Sequence, residues 1–147
     1  MNADALVPQL SRPEVQAFAA GFPITLLHAG VTLALLAFGA VLYAVLTPWK
    51  EIGQIREGNA AASVAFGGVI VGLAIPLAVS LGQSASLIEI GVWGLATILM
   101  QLLAFRITDV VLMGLPQRVQ EGEVSAAVLL VSAKLATALV LAAAVTG

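Results

Sequence analysis

The stretch Arg56–Pro76, REGNAAASVAFGGVIVGLAIP, decides how this chain folds. Its opening residues, Arg56-Glu57-Gly58-Asn59, are charged or polar apart from the glycine, and the remainder has no ionisable side chain and is rich in Ala and Gly. An apolar run of about 20 residues is long enough to cross a bilayer core of roughly 30 Å as an α-helix. The stretch therefore predicts a polar loop that leads into a membrane-spanning helix.

The composition of the whole chain supports a membrane protein. Of its 147 residues, 61% are hydrophobic and only 10% are charged, whereas soluble domains average roughly 45–50% apolar and about 25% charged residues. The absence of cysteine excludes disulfides, thiol catalysis and thiolate zinc or iron–sulfur sites. The basic residues are few and scattered, which argues against nucleic-acid binding.

Four apolar segments are long enough to cross the membrane. They run from about Phe22 to Leu46, Ala60 to Leu81, Leu87 to Met113 and Val124 to Val145. The first ends at Thr47-Pro48, because proline disfavours helical geometry in the residue before it. The predicted fold class is all-α integral membrane, with two helical hairpins over residues 22–84 and 85–147. A retained N-terminal arm over residues 1–21 precedes them, either exposed throughout or with a short interfacial helix through Val15, Phe18 and Phe22.

Basic residues predict the orientation. Lys50 and Arg56 lie in the 48–59 loop, and Arg106 and Arg118 lie in the 106–123 region, while the 82–86 turn has no charge. Because Lys and Arg are enriched in cytoplasmic loops, both charged loops are expected in the cytoplasm and both termini in the periplasm.

The two hairpins resemble each other in sequence. Glu57-Gly58-Asn59 aligns with Glu121-Gly122-Glu123 at an offset of 64 residues, Gly58 to Gly122, and the same register superimposes all four spans. Each unit contains two crossings, so the units have the same orientation. We therefore expect a parallel repeat about an axis along the membrane normal.

The segments Thr47–Ser80, TPWKEIGQIREGNAAASVAFGGVIVGLAIPLAVS, and Val92–Phe105, VWGLATILMQLLAF, carry a family resemblance. Here the chain resembles the small bacterial inner-membrane proteins catalogued as domain of unknown function 350. The resemblance extends over most of the chain and implies a multi-pass inner-membrane protein with a duplicated two-helix unit. In some settings the family is encoded near envelope-stress proteins, and it offers no established activity. The second unit is more divergent, with Glu123 in place of Asn59 and Lys134 where a small residue is expected.

Small residues recur at helical spacing in the second span, and such a stripe lets helix backbones approach closely within lipid. It packs either inside one four-helix bundle or at a subunit interface, and the limited size of the bundle favours a homo-oligomer. The stripe comprises Ala61, Ala65, Gly68, Gly72 and Pro76.

Lys134 near the middle of the fourth span is the sharpest anomaly, because a charge at that depth costs roughly 2.5–3.5 kcal/mol on insertion scales. Antiparallel packing of the third and fourth spans would bring Gln101 to a similar depth, so we expect Lys134 and Gln101 to lie close and form an intramembrane polar site. The alternatives are a lysine that extends along its stem to an interface and a residue of a water-lined pathway or polar bundle core.

Five further residues are candidates at the loop side. Arg106 and Asp109 are three apart and can form an exposed pair on one helix face, or serve in gating or partner binding. Asn59 is expected to cap the second span, with ion or lipid-headgroup contact as the alternative. Glu57 and Glu121 are expected to be solvated carboxylates in the loops. The alternative is that in an oligomer the copies of these residues form a ring of carboxylates.

No catalytic, metal or cofactor site is predicted. His28 is a lone imidazole, and no phosphate-binding loop, Ser/His/Asp set or pair of catalytic carboxylates is recognisable. Two functions remain: an oligomeric channel-like or transport-related protein for ions or small solutes, and a non-catalytic membrane scaffold. The scaffold would recruit a cytoplasmic envelope-stress partner through the charged loops.

Overall fold

Six α-helices form the part of the chain described by the computed structural model, which covers residues 12–146, and this part contains no strand. Four are long and two are short. In chain order they are α1 (Pro13–Leu46), α2 (Glu51–Arg56), α3 (Ala60–Gln83), α4 (Leu87–Val111), α5 (Leu115–Gln120) and α6 (Val124–Thr146).

The long helices α1, α3, α4 and α6 are each long and apolar enough to cross a membrane. Three of them begin at the predicted residue, at Ala60, Leu87 and Val124. Each predicted end lies within a few residues of the observed one. The all-helical, four-span part of the predicted fold class is thereby confirmed.

Helix α1 is longer than the sequence predicts. It begins at Pro13 rather than at about Phe22, so the helix in the N-terminal arm is continuous with the first span, and Pro23 lies inside it. Proline at the first helical position is favourable because its missing N–H has no intrahelical partner there. The residues that follow are mostly good helix formers such as Glu14 and Ala17. Residues 1–11 of the predicted arm lie outside the described residues.

Helices α3 and α6 form the centre of the bundle, since they make the most extensive contact of any helix pair. Small side chains permit this approach. A Cβ atom on Gly68 would lie 2.5 Å from Cγ2 of Val131 on α6, and one on Gly72 would lie 2.7 Å from Cζ of Phe105 on α4. The whole stripe is buried within the chain: Ala61, Ala65, Gly68, Gly72 and Pro76.

The two charged loops are not irregular, because each contains a short helix. Positive φ angles precede both helices, 49° at Lys50 and 88° at Gly114, and follow both, 89° at Gly58 and 87° at Gly122. Glycine adopts such angles without steric cost. The same backbone pattern therefore leads into α3 and into α6, and it places α2 and α5 at one end of the bundle, which we call the short-helix end.

Candidate functional site: a buried ion pair at the short-helix end

Lys134 of α6 lies inside the bundle, where it is 2% exposed. Its Cα is about 15 Å along the helix from Val124, at 1.5 Å per residue. Because Cβ atoms tilt toward the N-terminus of a helix, the side chain leans toward the short-helix end. The lysine thus reaches toward one end of the bundle through protein instead of through lipid.

Asp109 of α4 is the charged partner of this lysine. Nζ of Lys134 lies 2.9 Å from Oδ1 of Asp109, and both side chains are buried. Among the described residues, no donor forms a hydrogen bond of good geometry with either carboxylate oxygen, so the contact is an ion pair held by charge. The predicted exposed pair of Asp109 with Arg106 is wrong: Asp109 faces the interior of the bundle, and Arg106 is exposed.

Tyr43 of α1 links the lysine to a second carboxylate. Its hydroxyl accepts a hydrogen bond from Nζ of Lys134 at 3.1 Å and donates one to Oε1 of Glu51 at 3.1 Å. Glu51 is the first residue of α2 and is buried, and within the described part of the chain its Oε2 has no hydrogen-bond partner. Side chains from four helices therefore form one connected polar cluster, which we call the Lys134 cluster: Tyr43, Glu51, Asp109 and Lys134.

Aromatic rings enclose the ammonium group. Nζ of Lys134 is 5.1 Å from the ring centroid of Tyr43 and 5.4 Å from that of Phe105. The two rings meet edge to face, with centroids 6.1 Å apart at 90°. A cation over an aromatic face is attracted by the ring quadrupole, so the rings offset part of the cost of removing this charge from water.

Burial also affects the acid at the end of the cluster. Loss of solvent raises the pKa of the Glu51 carboxyl above its ordinary value, and the nearby charge of Lys134 and the hydrogen bond from Tyr43 lower this pKa and so oppose the shift only in part. The neutral form of Glu51 is therefore favoured relative to a carboxyl group in water.

Gln101 does not form a hydrogen bond with Lys134, and the predicted proximity of the two side chains stays a prediction. Both amide atoms of Gln101 are buried and have no hydrogen-bond partner among the described residues. Gln101 lies two turns, about 12 Å, before Asp109 on the same face of α4. Lys134 leans away from that depth, which is why it contacts Asp109.

Asn59 connects the two halves of the short-helix end. Its Oδ1 accepts from the backbone N–H of Ala62 at 3.0 Å and so caps α3. Its Nδ2 donates to the carbonyl oxygens of Val119 and Gln120 of α5, at 3.1 Å each. The corresponding residue of the second unit, Glu123, instead forms an ion pair with Arg118 at the surface. The carboxylates of Glu57 and Glu121 belong to exposed residues.

Two clefts border the polar interior at opposite ends. One of about 480 Å³ at the short-helix end reaches Asp109, between the Pro48-Trp49 turn, the end of α4 and α5. The other, of about 300 Å³, lies at the far end and is lined by Ser80 and Glu89 among others. Within residues 12–146, no group of three or more His, Cys, Asp or Glu side chains is placed to hold a metal ion.

The sequence profile of the family described as Domain of Unknown Function (DUF350) matches residues 17–145. The chain belongs to the DUF350 family. This DUF350 protein is 28% identical over 116 residues to the UPF0719 inner membrane protein YjfL of Escherichia coli K12, a match that covers 79% of the chain and 88% of the relative. The protein of the same name from Escherichia coli O157:H7 matches equally well. No solved structure matches this DUF350 protein.

Sequence reasoning missed three members of the site. Tyr43 reads as an interfacial aromatic, Glu51 as a loop charge and Phe105 as one apolar residue among many. One usable signal exists on α4, where Gln101, Phe105 and Asp109 recur every four residues and so share a face. That spacing predicts that Asp109 lies on the same face of α4 as Gln101 and Phe105 and is turned toward the interior of the bundle.

Proposed function

We propose that this protein is a transport-related inner-membrane protein that conducts protons, with the Lys134 cluster as the internal relay. The observation that carries the proposal is the ion pair of Lys134 and Asp109, at 2.9 Å within the bundle. Ionisable residues inside a membrane protein are costly and commonly mark ion pathways or proton relays. A buried ion pair is also weak support for stability, because desolvation can exceed the attraction between the charges. In our proposal a functional role explains the presence of this pair.

The hydrogen bonds of the cluster favour a proton over a larger ion. Two hydrogen bonds connect Lys134 to Tyr43 and Tyr43 to Glu51. A proton can pass between such groups without an open pore. A larger ion would need a continuous hydrated path, and a tightly packed apolar cluster lies beside the relay. That cluster comprises Tyr43, Val69, Leu73, Leu77, Ile98, Leu102 and Phe105.

Polar groups also continue beyond the relay toward the far end. Thr97 and Gln101 are buried on the same face of α4 as Asp109, and the amide of Gln101 has no protein partner. Buried amides are nearly always hydrogen-bonded, often to water. Phe105 lies between Gln101 and Asp109 on this buried face of α4. In our proposal its ring separates the relay from the polar groups beyond.

The repeat and the oligomer belong to the same proposal. The matched φ angles at Gly58 and Gly122 and the matched short helices support two tandem units in parallel orientation. The cytoplasmic location of the short-helix end rests on its basic residues, and a homo-oligomer remains a prediction. The name of the Escherichia coli relative supports the inner membrane.

The experiment is proton flux into proteoliposomes that contain a pH-sensitive dye, driven by a potassium diffusion potential. The wild type is expected to conduct faster than empty liposomes, and Lys134→Leu and Asp109→Asn are expected to abolish the difference. Arg56→Gln, an exposed cation at the same end, is the matched control and retains flux. Wild-type flux equal to that of empty liposomes overturns the proposal.

A second candidate is a scaffold that recruits a cytoplasmic envelope-stress partner. The observation in its favour is that Asn59 ties α3 to α5 through two hydrogen bonds, so the charged loops form one fixed surface. Charge reversal at Arg56 and Arg118 is expected to abolish co-purification of such a partner. Unchanged co-purification contradicts this role, whatever the flux assay gives.

A further inference from the structure

The cleft of about 480 Å³ at the short-helix end has the donors of an anion site. Trp49 lines the cleft, and its Nε1 is buried and has no hydrogen-bond partner among residues 12–146. An indole nitrogen can only donate. Arg106 also lines the cleft, is exposed and forms no ion pair with any residue from 12 to 146. The side-chain amide of Gln117 is a third potential donor. The cleft therefore suits a ligand rich in acceptor oxygens.

The charge balance of the cleft is positive in spite of Asp109. Asp109 lines the same cleft, but both of its carboxylate oxygens are buried, and Nζ of Lys134 lies 2.9 Å from Oδ1 and neutralises the carboxylate. The guanidinium of Arg106 is then the remaining charge at the cleft. Guanidinium groups bind phosphate oxygens with strong, directional hydrogen bonds.

The position of the cleft makes a membrane lipid the natural source of that phosphate. Trp49 follows the end of α1 at Leu46, and Arg106 lies in the last two turns of α4, so both are near the end of a spanning helix. Tryptophan and basic side chains at this level commonly meet lipid headgroups. Beside the donors, the cleft is bordered by apolar side chains of Val110 and Met113, which are 62% and 84% exposed.

We propose that this cleft binds the phosphate diester headgroup of an anionic phospholipid, with Arg106 and Nε1 of Trp49 as donors to the phosphate and with Val110 and Met113 against the upper acyl chains. The proposal does not rest on proton conduction, because its readout is lipid binding. The chemistry it requires, a phosphate in reach of an indole N–H and a guanidinium, is shared with free phosphate. The experiment must therefore separate these two sources.

The test uses Trp49 as the reporter. The chain has two tryptophans, so Trp93→Phe leaves Trp49 as the sole tryptophan, which is excited selectively in the full-length protein. Vesicles with brominated phosphatidylglycerol are expected to quench Trp49 more than vesicles with brominated phosphatidylcholine at equal lipid content. Arg106→Gln is expected to reduce this preference by about tenfold, because a hydrogen bond to a charged group contributes about 1.5 kcal/mol. The matched control Arg56→Gln keeps the preference.

Two further measurements complete the test. Native mass spectrometry of Trp49→Phe, with Trp93 intact, is expected to show fewer retained phosphatidylglycerol molecules than the wild type, since only the indole donor is lost. Inorganic phosphate is added in a separate arm and is expected to leave the quenching unchanged. Equal quenching by the two lipids, an unaltered preference in Arg106→Gln, or displacement of the lipid by inorganic phosphate would each overturn the assignment to a lipid.

Discussion

The ammonium of Lys134 on α6 lies 2.9 Å from the carboxylate of Asp109 on α4, inside a bundle that is otherwise mainly apolar. The lysine starts near the middle of its helix, and the aspartate lies close to the end of another. The length of the lysine stem bridges this difference in depth. The contact explains how the chain carries a charge in its fourth span without presenting it to lipid.

Removal of one member of this pair should destabilise the protein strongly. Lys134→Leu leaves Asp109 buried without a counter-charge, and the expected loss is about 3–5 kcal/mol of the free energy of unfolding. The double variant Lys134→Leu/Asp109→Leu should lose clearly less of this free energy. Equilibrium unfolding in mixed micelles measures the loss in the single and the double variant. Arg118→Leu, which breaks the exposed pair with Glu123, is the control and should leave the unfolding midpoint essentially unchanged.

The contact of Gly68 with Val131 predicts a compensating pair of substitutions. Gly68→Ala places a methyl group 2.5 Å from Cγ2 of Val131, and such overpacking costs about 1–3 kcal/mol. Val131→Ala in the same chain should recover most of that loss. Gly67→Ala is the matched control on the same helix, because nothing lies within 4 Å of its added methyl group. Equal unfolding midpoints for the two Gly→Ala variants would contradict this packing.

The two roles of Asn59 can be separated. Asn59→Ala removes the helix cap and both bonds to α5, and loss of the cap alone costs about 0.5–2 kcal/mol. Asn59→Asp keeps an acceptor for the N–H of Ala62 but has no amide donors. We expect its stability to lie between those of the wild type and Asn59→Ala. Hydrogen exchange at α5 should rise in both variants, and unaltered exchange would show that the bonds to α5 carry no stability.

Glu51 makes stability depend on pH. Burial raises the pKa of its carboxyl above the ordinary value of 4.5, so the folded state holds the proton more tightly than the unfolded state. Its contribution to stability is fully present below the unfolded pKa of 4.5 and is lost as pH rises through the folded pKa. Above pH 4.5 the free energy of unfolding of the wild type should therefore decrease with pH relative to that of Glu51→Gln. Parallel curves for the two proteins would contradict this coupling.

Phe105 should control proton flux if it separates Gln101 from the Lys134 cluster. Phe105→Ala removes the ring between them and is expected to raise flux through the proteoliposome membrane. Phe66→Ala is the matched control, because Phe66 also packs near Tyr43, with centroids 6.3 Å apart, but lies on α3. Both variants lose an aromatic ring, which lowers the free energy of unfolding by at most about 3–5 kcal/mol. Equal proton flux through Phe105→Ala and Phe66→Ala would contradict a role for Phe105 in the proposed pathway.

Hydropathy and helix-ending signals were sufficient to place the spans. Apolar length marks α3, α4 and α6 to within a few residues, and Thr47-Pro48 marks the end of α1, where Thr47 has an extended backbone. These signals are local, because they depend on the bilayer thickness and on the geometry of consecutive residues. The same signals do not show that α1 is continuous from Pro13, because Glu14 and Gln16 make its first turns polar without preventing a helix.

The partners of Lys134 were decided only by the tertiary structure. The spanning helices are apolar on nearly every side, so the sequence does not indicate which face is turned inward. The rotation of each helix comes from close contacts, such as Gly68 with Val131 and Gly72 with Phe105. Once those contacts are made, Asp109 faces the bundle and Tyr43 meets Lys134. A stretch of sequence can therefore specify depth in the membrane, while packing specifies direction.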